Sequence, residues 1–161
     1  MNTIGTMHAL DGHYGAVRVE DVYDTGIDDL WNACTDPDRL ARWIADVDGD
    51  LQVGGTFYAT FTSTGAGAGR IEACDPPNHL LLVMLPETDD EQQIEAWLTA
   101  DGDRTRLVVE NRRIPLTELH LHGAGWQAHL EDLARSLAGK PSIWNTRWNE
   151  LSPVYKTMQI V

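Results

Sequence analysis

Three histidines, His120, His122 and His129, crowd the approach to a run of leucines, and their spacing limits what they can do. A metal pair on a helix needs its ligands on one face, and residues two apart, such as His120 and His122, point in different directions. His122 and His129 are seven apart and can share a face, yet no third ligand accompanies them. No metal is therefore expected, and the histidines read as solvated or capping. Glu95 and Glu110 alternate with apolar residues, Glu95 (with Trp97) opposite Ile94, Ala96 and Leu98, and Glu110 opposite Leu107 and Val109. A buried carboxylate with a raised pKa would serve as a general acid or base, but this pattern places both in solvent. Asn111 shares the side of Leu107 and Val109, so it is expected as a polar tip inside whatever that side encloses. Arg70 either offsets a ligand carboxylate or pairs with Glu72 or Glu95 outside. Cys34 and Cys74 lack metal-ligand or redox spacing; they read as buried and reduced, against the alternatives of a disulfide or a catalytic thiol. No serine sits in a Gly-x-Ser-x-Gly elbow, and Gly65 to Gly69 lacks the Lys-Ser/Thr ending of a phosphate loop. No catalytic residue and no cofactor is expected.

The elements that must position these groups follow from periodicity. Tyr14 to Tyr23 alternates as a first strand, with a slip near Glu20-Asp21 that suggests a bulge. Ile27, Leu30 and Trp31 recur at helical spacing, and Asp28 and Asp29 occupy the first turn, where carboxylates favour the helix dipole. Thr35-Asp36-Pro37 is a stop and restart: Asp36 caps, Pro37 takes the first helical position, and a second short helix carries Leu40 and Trp43. Strands are expected over 56–63, 70–74, 79–85, 92–99 and 105–111, with 64–69 as a flexible hairpin turn, making an antiparallel meander. After Pro115, Leu119, Gly123, Trp126, Leu130, Leu133 and Leu137 give one apolar face to a long helix. Gly123 and Gly125 weaken that helix, so they are expected to serve close approach to the sheet or a local kink. Trp144, Trp148 and Leu151 have the spacing of a short docking helix.

Composition removes whole classes of function. The chain has 161 residues and a net charge of −13, with 25 Asp and Glu against 12 Lys and Arg. That balance repels phosphate backbones, so no nucleic-acid partner is expected. The longest apolar stretch, Leu80 to Leu85, is too short to cross a bilayer, and Met1 to Gly12 carries no secretory pattern. A cytoplasmic protein with no membrane partner is the expectation.

The order of elements and their motifs resembles a known family. Leu30-Trp31, Thr35-Asp36-Pro37, Leu40, Trp43, Val53-Gly54-Gly55, Gly69, Asp75-Pro76-Pro77, Thr105, and Gly125-Trp126 with Leu130 and Leu133 are similar to the activator of heat-shock-protein-90 ATPase homologue-like family of the START-like (SRPBCC, helix-grip) superfamily. The resemblance covers roughly residues 13–139. It departs at Glu110-Asn111-Arg112-Arg113, where family members often carry a histidine-containing stretch. The resemblance implies an α+β helix-grip fold: a curved antiparallel sheet wrapped around a long C-terminal helix, with two short helices after the first strand. The expected layout is a flexible leader over 1–12, the helix-grip domain over 13–140 and a docked aromatic extension over 141–161. A cavity between sheet and helix is expected to be walled by Trp43, Phe57, Phe61, Leu82, Met84, Trp97, Leu107, Val109, Trp126 and Leu130, with Asn111 as its polar group. Binding of a small hydrophobic or amphipathic molecule there ranks above association with a chaperone. Cyclase- or dehydratase-like catalysis ranks third. A homodimer through an exposed sheet edge or the aromatic tail is a further expectation.

Overall fold

The computed structural model of the chain describes residues 3–161. Among these, eight strands form one antiparallel sheet: β1 (Ile4–Ala9), β2 (Tyr14–Tyr23), β3 (Ala45–Gly49), β4 (Thr56–Phe61), β5 (Ala66–Asp75), β6 (His79–Met84), β7 (Gln92–Asp101) and β8 (Arg104–Pro115). Their spatial order is β1-β2-β8-β7-β6-β5-β4-β3, so β8 returns to pair with β2 after the meander has run. Two short helices, α1 (Ile27–Thr35) and α2 (Pro37–Leu40), fill the connection from β2 to β3. The long helix α3 (Leu119–Leu137) follows β8 and lies on the inner face, contacting β1, β2 and β8, and α4 (Trp144–Thr157) packs against α3. This is the α+β helix-grip fold. No described helix is long and apolar enough to cross a membrane.

The core lies between the sheet and α3, and alternation along β2 shows how it is filled. Val17, Val19 and Tyr23 point inward and are at most 1% exposed. The Tyr23 hydroxyl donates to the Leu130 carbonyl at 2.9 Å, tying β2 to α3. Asp36 caps α2, accepting from the Arg39 amide at 3.1 Å, and Pro37 occupies the first turn, where its missing N–H does no harm.

Several expectations need correction. Residues 4–9, expected within a flexible leader, form β1. It carries little local signal because it is an edge strand that buries one large side chain, Met7, and its backbone pairs with Glu20 through Gly15. Strand β3 has no counterpart among the expected strands; its sequence, Ala-Asp-Val-Asp-Gly, carries exposed Asp46 and Asp48 on a sheet edge, where charge opposes pairing with another chain. The stretch 66–69 belongs to β5 rather than to a turn. Close packing requires its glycines: a Cβ on Gly67 would lie 2.5 Å from the Leu85 side chain, and one on Gly69 would collide with the Phe57 ring. There is no bulge at Glu20-Asp21: the alternation is unbroken, and Asp21 points inward, accepting from the Thr3 hydroxyl at 2.8 Å. The register shift lies between Gly15 and Ala16, opposite Arg113. Arg113 has a φ of 69° and its guanidinium lies 4.5 Å from the Tyr14 ring centre. Finally, Gly123 and Gly125 face α4, not the sheet. A Cβ on Gly123 would sit 2.5 Å from the Tyr155 ring.

Candidate functional site

Two adjoining spaces lie between the sheet and α3. The inner one is a chamber of about 190 Å³, bounded by α1, α2 and the inner faces of β3 to β8. Alternation decides its walls: Phe57 and Ala59 from β4, Leu80 and Leu82 from β6, Ile94 and Ala96 from β7, and Leu107 and Val109 from β8 all face it. The outer one is a mouth of about 360 Å³ between the turn after β4, the end of β6, α3 and α4. Ile44, Phe61, Met84, Ile94 and Trp126 border both spaces. Among the described residues, no Asp, Glu, Lys or Arg lines either one.

Of the residues expected on the cavity wall, Trp43, Phe57, Phe61, Leu82, Met84, Leu107, Val109 and Trp126 border the chamber, and Asn111 borders the mouth. Two do not. Trp97 lies on the outer face of β7, its ring centre 6.0 Å from that of His79, because it alternates with the inward Ala96 and Leu98. Leu130 is completely buried but lies beyond the chamber, where α3 has closed onto β2.

Asn111 is fully engaged by the protein. Its Oδ1 accepts from the Trp126 indole at 3.0 Å, and its Nδ2 donates to Gln92 Oε1 at 3.2 Å and to the Gln93 carbonyl at 3.0 Å. It fixes the tryptophan that borders both spaces, and no N–H is left for a ligand.

The histidines depart furthest from expectation. His122 and His129 both border the mouth, as their spacing of seven allows, rather than standing in solvent. His129 is 5% exposed, and its Nδ1 donates to the Trp43 carbonyl at 3.3 Å. Burial pulls its pKa down to about 4 against the weaker upward pull of that hydrogen bond, so the ring is neutral. Burial likewise lowers His122, opposed by Glu118. Around His129 stand three indoles. Trp126 meets it edge-on at 5.8 Å, Trp144 lies tilted at 5.5 Å, and Trp148 stacks on Trp144 at 5.7 Å. Trp144 and Trp148 come from α4, and each donates its indole N–H to α3, to the carbonyls of Gly125 and Leu121.

The remaining candidates lie off the mouth or are inert. Cys34 and Cys74 are free thiols on the chamber wall, and burial pushes Cys34 up to about 12, which removes it as a nucleophile. Arg70 pairs with Glu72 outside. Glu95 is on the outer face; partial burial works against its ionisation, but hydrogen bonds from His79 and Arg112 outweigh that and hold it below the usual carboxylate range. Glu110 joins the same outer cluster through Arg112.

Residues 24–138 match the profile of a family described as activator of Hsp90 ATPase homolog 1-like protein. No curated protein matches the sequence. Among solved structures, the chain is similar to CalU16 from Micromonospora echinospora, with 28% identity, a TM-score of 0.80 and 97% of each chain covered. DynU16, described as a protein in the dynemicin biosynthetic locus, is 28% identical with a TM-score of 0.72 over 79% of this chain, which spans 49% of DynU16. The protein encoded by gene BPP1335 of Bordetella parapertussis shares the fold at 24% identity, with a TM-score of 0.74 over 91% of this chain and 87% of that one.

Proposed function

Because the chain belongs to the activator of Hsp90 ATPase homolog 1-like family, we propose that it uses the helix-grip cavity to bind a small, uncharged hydrophobic or amphipathic molecule without transforming it. One observation carries this reading. In a chain with 25 acidic and 12 basic residues, chamber and mouth are lined, among the described residues, without an Asp, Glu, Lys or Arg. An ionised ligand would lose its hydration there and meet no counter-charge. Acid-base catalysis is poorly served by His129, whose pKa near 4 makes it a weak base at neutral pH, and burial lowers His122, the other histidine on the mouth, as well. The likeness to DynU16, from a biosynthetic locus, fits a role in handling a small molecule.

The contacts would come from Trp43, Phe57, Phe61, Leu82, Met84, Leu107, Val109 and Trp126. Burying roughly 300 Å² of apolar surface is worth about 7 kcal/mol, against at least about 4 kcal/mol for lost translational and rotational freedom. Apolar contact alone therefore gives weak binding, and a tight ligand needs a polar anchor. A thermal-shift screen backed by native mass spectrometry tests the reading: neutral amphiphiles should raise the melting temperature and survive as complexes, whereas their carboxylate analogues should not. Uniform silence across the neutral set would remove it. The family's description supports a second reading, a chaperone partner, which an ATPase-stimulation assay with the host's own chaperone decides.

A further inference from the structure

We propose that the mouth recognises a hydroxyl group on an aromatic ring, with His129 Nε2 accepting its hydrogen bond and Trp144 and Trp148 walling the ring. The inference rests on the cavity reading above and narrows it to a class of ligand.

The geometry of His129 carries it. The Nδ1–H is committed to the Trp43 carbonyl at 3.3 Å, which fixes the tautomer and leaves Nε2 with a lone pair and no proton. Among the described residues none donates to Nε2, and Nε2 is not one of the side-chain atoms shut off from solvent without a partner, so its lone pair is open on the wall of the mouth that His129 lines. Being unprotonated, Nε2 can only accept, so its complement is a donor. Among the described residues no carboxylate lines the mouth, which disfavours an ammonium there, and a neutral hydroxyl is a donor that fits. Trp126 edge-on, Trp144 and the stacked Trp148 continue from the same imidazole, so a ring attached to that hydroxyl meets aromatic surface. Asn111 does not compete, because its N–H groups are spent on Gln92 and Gln93.

The test uses naphthol, its methyl ether and naphthalene as probes of the intact protein, followed by tryptophan fluorescence and calorimetry at neutral pH. Naphthol should bind about tenfold more tightly than the ether or the hydrocarbon, the worth of one hydrogen bond. His129→Phe, which keeps a ring and loses the acceptor, should abolish the preference; His129→Gln, which restores an acceptor, should recover much of it. Should His129→Phe fail to fold, nitrogen NMR of the wild-type imidazoles decides, since naphthol but not its ether should move the Nε2 resonance of His129. Equal affinity for naphthol and ether, or a preference that survives His129→Phe, overturns the hydroxyl assignment and leaves the cavity reading standing. Failure of all three probes overturns both.

Discussion

Burial and one carbonyl set the state of His129, and they also make it an acid-sensitive point in the fold. Its ordinary pKa of 6.5 falls to about 4 in the folded chain. Between those values the unfolded chain takes up a proton that the folded one refuses, so stability rises with pH across the window. The contribution is whole above 6.5 and is lost progressively as pH falls towards 4, by about 3 kcal/mol in all. His129→Gln should flatten the pH dependence of urea unfolding between these limits; an unchanged slope would show that other groups set it. Asn111 makes a different prediction. Asn111→Ala leaves the buried Trp126 indole N–H without its acceptor, and denaturation midpoints should report a loss of about 1–3 kcal/mol. Strand alternation alone makes the inward position of Asn111 legible in the sequence. It cannot do the same for His129, because a helical residue's surroundings depend on what packs on each face, and the partner here, α4, lies outside the family's core pattern. Trp97 is a different case: its size suits a cavity wall, but its place opposite Ile94 and Ala96 decides which face it takes.

At the scale of elements, the seam between α3 and α4 is where the molecule departs from the expected design. Its two glycines are not equivalent. A methyl group at Gly123 collides with the Tyr155 ring at 2.5 Å, whereas one at Gly125 reaches Trp144 at 3.4 Å, an ordinary contact. Gly123→Ala should therefore destabilise by about 1–3 kcal/mol despite the better helix former. Gly125→Ala should gain up to about 1 kcal/mol from helix propensity. Thermal unfolding of the two variants separates these signs. Asp132 secures the same seam from the far end: buried in α3, it accepts from the Ser142 hydroxyl and from the Ile143 amide at 3.0 Å, so the link into α4 is held to the helix it leaves. The two short helices, their Asp36 cap and the meander are readable in the sequence because each is specified by neighbours along the chain. Strands β1 and β3 are not, since an edge strand with one buried side chain carries almost no local signal.

For the whole molecule, the chamber sets a trade between packing and binding. Ala96 is a small side chain on its wall. Ala96→Phe should fill part of the 190 Å³ space, keep or raise the melting temperature, and weaken neutral-probe binding at least tenfold. Loss of stability together with unchanged binding would place the ligand elsewhere. The outer shell is organised differently: β3 guards one sheet edge with Asp46 and Asp48, and the Met7–Ala9 end of the β1 edge is covered by the segment after α4, with Ala9 N–H bonded to the Val161 carbonyl and Val161 N–H to the Met7 carbonyl. Tyr155 completes that closure, its ring filling the space over Gly123 and its hydroxyl reaching Gln127 above Gly5. The consequence lies in the order of synthesis. A ribosome releases β1 well before the segment that shelters its outer edge, so the nascent sheet must wait with that edge open until α4 emerges. Closing contacts between distant parts of a chain is slow, and an unpaired edge during the wait invites partners. The residues after α4 thus bear on how long the Met7–Ala9 end of that edge stays open to strand addition.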